Sequence, residues 1–85
     1  MGKYRIEIKR SAVKELERIP PKDLKKILSR IKDLADEPRP PDSKKLSSQD
    51  KYRIRYRMYR ILYSITDDLL MICVVKVGHR REAYR

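Results

Sequence analysis

The chain has 85 residues and a mass of 10.3 kDa, which suffices for one hydrophobic core and excludes a multidomain enzyme or a Rossmann-sized cofactor fold. With 23 Lys and Arg against 12 Asp and Glu, its formal net charge is +11, a density that favours a polyanionic partner. A hydrophobic content of 40% is too high for a charge-expanded, disordered chain. We therefore expect one folded domain over 1–85 with a basic surface.

Cysteine, histidine and apolar runs bear on the compartment and on cofactors. Cys73 is the single cysteine and His79 the single histidine, too few for an internal disulfide or an ordinary structural zinc site. The longest apolar run, 69–75, is far shorter than the roughly 20 residues of a membrane-spanning helix. The N-terminus has no apolar signal-peptide core. The sequence predicts a cytoplasmic protein without a membrane segment, metal or small-molecule cofactor.

The N-terminal half predicts one strand and a helical hairpin. Apolar and charged residues alternate in the first segment, with the apolar ones at Tyr4, Ile6 and Ile8. Ser11 is a candidate N-cap for a short helix over 12–18, which the prolines at 20–21 end. Apolar residues then recur at helical spacing over 21–35, with Pro21 suited to the first helical position. The Pro-Pro break requires that the two helices form a hairpin.

The C-terminal half predicts three strands. A polar loop over 37–50 precedes three runs rich in β-branched and aromatic residues, at 52–57, 59–66 and 69–77. The short separators Arg57-Met58 and Asp67-Asp68 force antiparallel hairpins. The element order is therefore β-α-α-β-β-β, an α+β fold in which the helical hairpin packs on one face of a four-stranded, mainly antiparallel sheet.

The first hairpin decides which side chains share a face of the sheet. A loop centred on Arg57-Met58 places Arg55 opposite Arg60 and Arg53 opposite Leu62. The tyrosines and isoleucines that alternate with them then point to the helices. A two-residue second loop predicts three further pairs: Ile61 with Val74, Tyr63 with Ile72, and Arg60 with Val75.

Like charges directly across a ladder destabilise it, so the predicted pair of Arg55 and Arg60 requires an explanation. Either the guanidinium groups extend into solvent at small cost, or they bind phosphate, for which arginine forks are well shaped. Residues 51–66 carry five basic side chains and no acidic one, which favours phosphate binding.

The C-terminal segment GHRREAYR adds a histidine and a tyrosine to these cations. A turn at Gly78 is expected to direct His79 and the residues after it back along the sheet edge. Such a cluster contains what RNA cleavage requires, a proton acceptor for a 2′-hydroxyl and cations for the phosphorane. The alternatives are a solvated turn residue for His79 and a packed C-terminal anchor for Tyr84.

The segments YRIRYRMYRILY (52–63) and VKVGHRREAYR (75–85) resemble the RelE side of the RelE/ParE toxin superfamily, whose members read much like YRIRxGDYRxxY and VGHRxxxY. The resemblance covers the whole chain and implies a RelE-like domain. It also implies a type II toxin-antitoxin toxin, a metal-independent mRNA interferase that cleaves mRNA in the ribosomal A site and so inhibits translation. The implied partners are a cognate antitoxin, the ribosome and mRNA.

By position, the resemblance assigns catalysis to four side chains: Arg55, Arg60, Arg80 and Tyr84. Arg55 and Arg60 would stabilise the phosphorane, and Arg80 would neutralise or protonate the leaving oxygen. Tyr84 would be the base that starts attack of the 2′-oxygen on the adjacent phosphate, with His79 as the second choice. The RNA-binding residues would be Arg53, Arg55, Arg57, His79, Arg81 and Arg85.

The sequence departs from the family pattern at two places in the first hairpin. Arg53 and Arg55 stand where well-known members have lysine, which retains phosphate binding but argues against proton transfer by either residue. Arg57-Met58 replaces Gly-Asp, the pair that suits a tight turn with positive φ. The second departure leaves open a non-catalytic or attenuated homologue that binds RNA or the ribosome. A ParE-like inhibitor of DNA gyrase without a nuclease site is the other alternative, because the two branches of the superfamily overlap in sequence.

We expect the antitoxin to bind across the basic sheet face or the helical hairpin. The high positive charge attracts an acidic chain. Apolar residues also lie on the face that the helices are predicted to leave uncovered, at Leu62, Met71 and Cys73.

Overall fold

The structure is a computed structural model that describes residues 3–46 and 51–79. The strands are β1 (Arg5–Ile8), β2 (Lys44–Lys45), β3 (Lys51–Tyr56), β4 (Tyr59–Thr66) and β5 (Met71–His79), and the α-helices are α1 (Arg10–Leu16) and α2 (Pro21–Asp33). The strands form one sheet in the order β1-β5-β4-β3-β2, in which β1 is parallel to β5 and the other neighbours are antiparallel. The predicted α+β class is confirmed. Neither helix of the described residues has the length and apolar character of a membrane-spanning segment.

The core lies between the two helices and one face of the sheet. The helices and the segment after α1 contribute Ala12, Leu16, Ile19, Ile27, Ile31 and Leu34. The sheet contributes Tyr52, Ile54, Ile61, Tyr63, Ile65, Ile72, Val74 and Val77. Along β3 and β4 the buried residues alternate, because successive side chains of a strand point to opposite faces. Burial of this apolar set holds the helical hairpin on the sheet.

The first helix begins earlier than the sequence indicated. α1 starts at Arg10, with Lys9 at the N-cap position and no side-chain cap, so the predicted Ser11 cap was wrong. The Lys9 N–H donates to the Val74 carbonyl at 2.8 Å while the Lys9 carbonyl accepts from Val13 at 2.9 Å. The chain therefore passes from strand to helix at a single residue. α2 begins with Pro21 in its first turn, as predicted.

The segment predicted as a loop over 37–50 contains β2, a fifth strand at the edge of the sheet. Lys44 pairs with Arg53 and Lys45 pairs with Tyr52. The predicted count of four strands was therefore wrong. Two lysines have no β-strand pattern of their own, and the strand forms because β3 offers an unpaired backbone edge.

An ion pair fastens the loop before β2 to the turn after β4. Arg39 contacts the Asp67 carboxylate at 2.9 Å, and its Nε donates to the Tyr52 hydroxyl at 3.0 Å. The Tyr4 hydroxyl donates to the same carboxylate at 2.7 Å. The hydrogen bonds from Arg39 and then Tyr4 stabilise the charged form, which lowers the pKa of Asp67 below its usual value.

Tyr63 holds the same loop from the core. Its hydroxyl donates to the Pro38 carbonyl at 2.7 Å, and its ring stacks on Tyr52 with 5.9 Å between centroids. Burial disfavours the phenolate and raises the pKa of Tyr63 to about 12. The tyrosine is thus retained as a neutral hydrogen-bond donor.

The turn between β4 and β5 is longer than predicted. Asp67–Leu69 form a turn of 3₁₀ helix, and Leu70 follows in the left-handed region with φ 49°. The predicted two-residue Asp67-Asp68 loop and its three pairs were therefore wrong. The observed pairs are Arg60 with Gly78, Ile61 with Val77, and Tyr63 with Val74. Ile72 and Val74 still face the helices, because the pairing of the first half of β5 is displaced from the predicted one by two positions, an even number.

Candidate nucleic-acid interface

The sheet face opposite the helices carries the arginines of β3 and β4. Arg55 pairs with Arg60 and Arg53 with Leu62, as predicted from the first hairpin. Ile54 and Ile61 alternate with these residues and are fully buried on the helix side. The predicted placement of the three arginines on the opposite face is therefore confirmed.

Two lysines extend this surface towards the β2 edge. Lys44 lies directly opposite Arg53, and Lys51 precedes Arg53 by two residues on the same strand. We call the surface formed by Lys44, Lys51, Arg53, Arg55 and Arg60 the basic face. Lys44 could not be assigned to this face from sequence, because its place there depends on pairing between β2 and β3.

Arg60 is far more enclosed than an ordinary surface cation. Its side chain lies on the basic face between Arg55 and Gly78, yet the residue is only 6% exposed and its Nε is shielded from solvent. Gly78 does not adopt positive φ, so the backbone conformation there does not require glycine. A side chain at position 78 would stand beside Arg60 on this face. Gly78 therefore provides the space in which the Arg60 side chain lies.

The hairpin loop beside these arginines keeps its two-residue length. Tyr56 pairs with Tyr59, and Arg57 occupies the left-handed region with φ 54°. A residue other than glycine pays roughly 1–2 kcal/mol in this conformation. The two-residue loop thus forms with Arg57-Met58 in place of Gly-Asp. Side chains of the loop and of β3 and β4 enclose a hollow of about 40 Å³, lined by Arg55, Arg57, Met58, Tyr59 and Arg60.

The structure places His79 on the face opposite to these arginines. His79 pairs with Tyr59, and their rings meet edge to face with 5.8 Å between centroids. Tyr59 packs against the core, so both rings lie on the helix side. The predicted turn at Gly78 was wrong because β5 continues through it to His79. The sheet therefore separates His79 from Arg55 and Arg60, contrary to the expectation of one cluster.

A bulge explains why His79 changes face. The pairing of β4 with β5 shifts between Leu62 and Tyr63, which leaves Val75 as an extra residue in β5. One extra residue reverses which side chains point to each face. Beyond the bulge, Gly78 therefore lies on the basic face and His79 on the helix side.

The other predicted site residues, Arg80, Arg81, Tyr84 and Arg85, lie outside the described residues. Within 3–46 and 51–79, no three His, Cys, Asp or Glu side chains gather closely enough to hold a metal ion.

The geometry of the basic face suits a phosphate group. Side chains directly opposite each other on neighbouring antiparallel strands have Cβ atoms roughly 4.5–5.5 Å apart, so the guanidinium groups of Arg55 and Arg60 can reach one phosphate. Arg60 is held on a central strand and shielded from water, which strengthens its interaction with an anion. A donor fixed before the ligand arrives is the arrangement that stabilises charge in a transition state.

Comparisons with known proteins identify the family. A family model described as the ParE toxin of the type II toxin-antitoxin system parDE matches residues 6–84. The RelE1 protein of Methanocaldococcus jannaschii is 33% identical over 98% of this chain and 97% of its own length. This chain is a RelE-type toxin of the RelE/ParE superfamily.

Solved structures show the same fold as this RelE-type toxin. RelE in the archaeal RelE–RelB complex of Pyrococcus horikoshii superposes with a TM-score of 0.84 and 31% identity, covering 92% of this chain and 96% of that one. The isolated RelE toxin of Escherichia coli superposes with a TM-score of 0.81 and 25% identity, covering 95% and 90%. The family predicted from the two sequence segments is confirmed, and the chain is the toxin of a type II toxin-antitoxin system.

Proposed function

We propose that this RelE-type toxin is a metal-independent endoribonuclease that cleaves mRNA in the ribosomal A site. The observation that carries the proposal is the direct pairing of Arg55 with Arg60, in which Arg60 is enclosed on a central strand. Two cations side by side on neighbouring strands form a place where one anionic group can contact both. RNA supplies such an anion at every phosphate.

The proposed reaction is attack of the 2′-oxygen on the adjacent phosphorus. The new bond joins that oxygen to phosphorus, the bond to the 5′-oxygen breaks, and the products are a 2′,3′-cyclic phosphate and a 5′-hydroxyl end. Arg55 and Arg60 stabilise the charge that develops on the non-bridging oxygens. Arg53 and the neighbouring Lys44 bind flanking phosphates, contacts that position the RNA.

Proton transfer in this proposal belongs to the C-terminal segment. Tyr84 takes the proton of the 2′-hydroxyl, and Arg80 neutralises or protonates the leaving 5′-oxygen. Cations near Tyr84 in the sequence favour its phenolate form. We assign no proton transfer to His79, because the sheet separates its ring from Arg55 and Arg60.

We also propose that a cognate antitoxin binds this toxin. RelE is crystallised with RelB in the Pyrococcus horikoshii complex, and a RelBE2 toxin–antitoxin complex is known from Mycobacterium tuberculosis. Half-buried apolar residues lie beside the cations on the face without helices, at Leu62, Met71 and Cys73. An acidic segment with apolar side chains would satisfy both features of this face.

Cleavage of mRNA on programmed ribosomes tests the proposed activity. We expect cuts within the A-site codon with the parent toxin, and a loss of roughly 10²-fold to 10³-fold for Arg60→Ala. Lys25→Ala is the matched control, because Lys25 is an exposed cation on α2, away from the basic face. Uncut mRNA with a correctly folded parent toxin would contradict the proposal.

Inhibition of DNA gyrase is the second candidate function, favoured by the ParE description of the matching family model. A supercoiling assay with purified gyrase separates the two activities. Inhibition of supercoiling without cleavage on ribosomes would assign this toxin to gyrase. Binding to ribosomes without cleavage would indicate the attenuated, RNA-binding alternative.

A further inference from the structure

A cleft lies on the helix side of the sheet, at the end that carries the hairpin between β3 and β4. It has a volume of about 260 Å³ and is bounded by Glu15 and Arg18 on one side and by Tyr59 and His79 on the other. None of these four residues belongs to the basic face. The volume is slightly below that of most small-molecule pockets, roughly 300–1,000 Å³, and admits one flat ring system.

The aromatic side of the cleft suits a planar ligand. The rings of Tyr59 and His79 are nearly perpendicular, at 82°. A flat ring that stacks on one of them meets the edge of the other, and both arrangements are favourable for aromatic groups. Stacking of a nucleobase on such rings is a common way to hold single-stranded RNA.

The opposite side of the cleft presents a fixed carboxylate. One oxygen of Glu15 accepts the Val77 N–H at 3.0 Å, and the other contacts the Lys76 ammonium at 3.1 Å. A carboxylate has about four acceptor positions, so each Glu15 oxygen retains room for another donor. Its location is set by these two contacts before any ligand arrives.

A carboxylate of this kind selects among nucleobases. Glutamate accepts readily from the exocyclic amino group of cytosine, and adenine and guanine carry amino groups too. Uracil has one ring N–H flanked by two carbonyl oxygens, which a carboxylate repels. Arg18, an exposed cation beside the cleft, suits the phosphate attached to the bound nucleoside.

The cleft adjoins the basic face at the hairpin end of the sheet. Tyr59 lines both this cleft and the hollow beside Arg55 and Arg60. A strand of RNA whose phosphate lies on Arg60 can therefore pass round the hairpin end and place a neighbouring base against Tyr59.

We propose that this cleft binds a nucleobase with an exocyclic amino group, next to the phosphate held by the basic face. The identity of the ligand as part of an RNA substrate rests on the proposed function. Binding of a base in the cleft does not require that the toxin cleave RNA.

Titration of the full-length toxin with free nucleosides tests the proposal without any cleavage step. In amide NMR spectra we expect cytidine to shift the signals of Glu15, Gly78 and His79, with an affinity about fivefold or more above that of uridine. Nucleosides carry no phosphate and no net charge, so the basic face does not attract them. Absence of shifts at these residues, or equal affinity for the two nucleosides, would overturn the proposal.

Two variants sharpen the assignment. Glu15→Gln keeps an acceptor for the Val77 N–H but adds a donor that suits a uracil carbonyl, so the preference for cytidine should shrink to within about twofold. Tyr59→Leu should weaken both nucleosides about tenfold through lost stacking. Tyr56→Leu is its matched control, because Tyr56 pairs with Tyr59 and also packs on the core but does not line the cleft. Unchanged preference in Glu15→Gln would remove Glu15 from base selection and contradict the proposal.

The two proposals fail in distinguishable ways. Nucleoside shifts in the cleft together with intact mRNA on ribosomes would support the base site and contradict the endoribonuclease function. Cleavage of mRNA without nucleoside shifts would support the function and contradict the base site.

Discussion

Arg60 of β4 lies directly opposite Gly78 of β5, and this pairing allows a cation to be almost fully enclosed on the sheet face that carries no helix. A glycine in the interior of a strand costs roughly 0.5–1 kcal/mol relative to alanine. Gly78 does not have a positive φ, so its backbone conformation does not require glycine. The space beside Arg60 is therefore the feature that explains the glycine.

Replacing that glycine should impair cleavage without unfolding the toxin. In Gly78→Val the new side chain displaces Arg60, and a displacement of about 1 Å can cost on the order of 10²-fold in the chemical step. The toxin should remain folded, since the strand propensity of valine offsets part of the cost of the added bulk beside Arg60. Single-turnover cleavage on saturating ribosomes, with urea denaturation, measures both. Ser64→Val adds bulk to the same face away from Arg60 and serves as the control. A parent-like rate for Gly78→Val would show that the space is not needed.

The chemical step should depend on three side chains more than on charge in general. We expect steep losses in single-turnover rate for Arg60→Ala, Arg80→Ala and Tyr84→Phe, because each removes a transition-state interaction. Arg81→Ala and Arg85→Ala should stay within about tenfold of the parent. Equal losses in all five variants, which shrink at lower salt, would indicate nonspecific binding instead.

A substitution of His79 tests the strand register separately. On saturating ribosomes, which compensate for weaker base binding in the cleft, His79→Gln should leave the single-turnover rate within about threefold of the parent, because the ring lies on the helix side and takes no part in proton transfer. The pH dependence of the rate should be unaltered as well. A loss as large as that of Tyr84→Phe would restore His79 as the base.

Replacing Leu70, which has left-handed backbone angles in the β4–β5 turn, by glycine should stabilise the toxin. Leu70 has φ 49° and ψ 50° and is exposed, so Leu70→Gly relieves backbone strain at little cost in packing. We expect the free energy of unfolding to rise by about 1 kcal/mol. Leu69 is also exposed but belongs to the 3₁₀ turn, where glycine brings no relief. Leu69→Gly should therefore leave stability unchanged or lower it, and an equal gain in both variants would refute the strain explanation.

Stability at high pH should depend on Tyr63. Its pKa in the folded toxin is about 12, above the ordinary value of about 10, so folding favours the protonated form. The stabilisation is complete below pH 10 and is lost as the pH rises towards 12. In denaturant titrations across this range, the parent should lose stability more steeply than Tyr63→Phe, which has no proton to release. Parallel pH profiles would contradict the assignment.

A complex with the antitoxin should survive moderate salt. At about 0.5 M salt, screening acts over only some 4 Å, so long-range attraction to the basic face is largely removed. Contacts with Leu62, Met71 and Cys73 do not depend on charge, and copurification should therefore persist. Complete dissociation at this salt concentration would show that apolar burial contributes little.

Local patterns in the sequence were sufficient for α2 and for the first hairpin. The helical repeat over 21–35 depends only on neighbouring residues, and α2 begins at the predicted Pro21. The Arg57-Met58 loop is too short to allow another register, so the pairing of Arg55 with Arg60 followed from the strand period of two. The segment of the first hairpin, 52–63, together with 75–85, also carried the resemblance to RelE.

Contacts between distant segments decided the rest. Lys44 joined the basic face because β3 had a free edge, and no property of the lysines themselves predicts that pairing. The face of His79 depended on the extra residue at Val75, since a single bulge in β5 exchanges the two faces of everything after it. The alternation of apolar residues before the bulge does not indicate where the extra residue lies, so the sequence did not predict it. Only the packing of β5 between β1 and β4 places Gly78 beside Arg60 and turns His79 towards the helices.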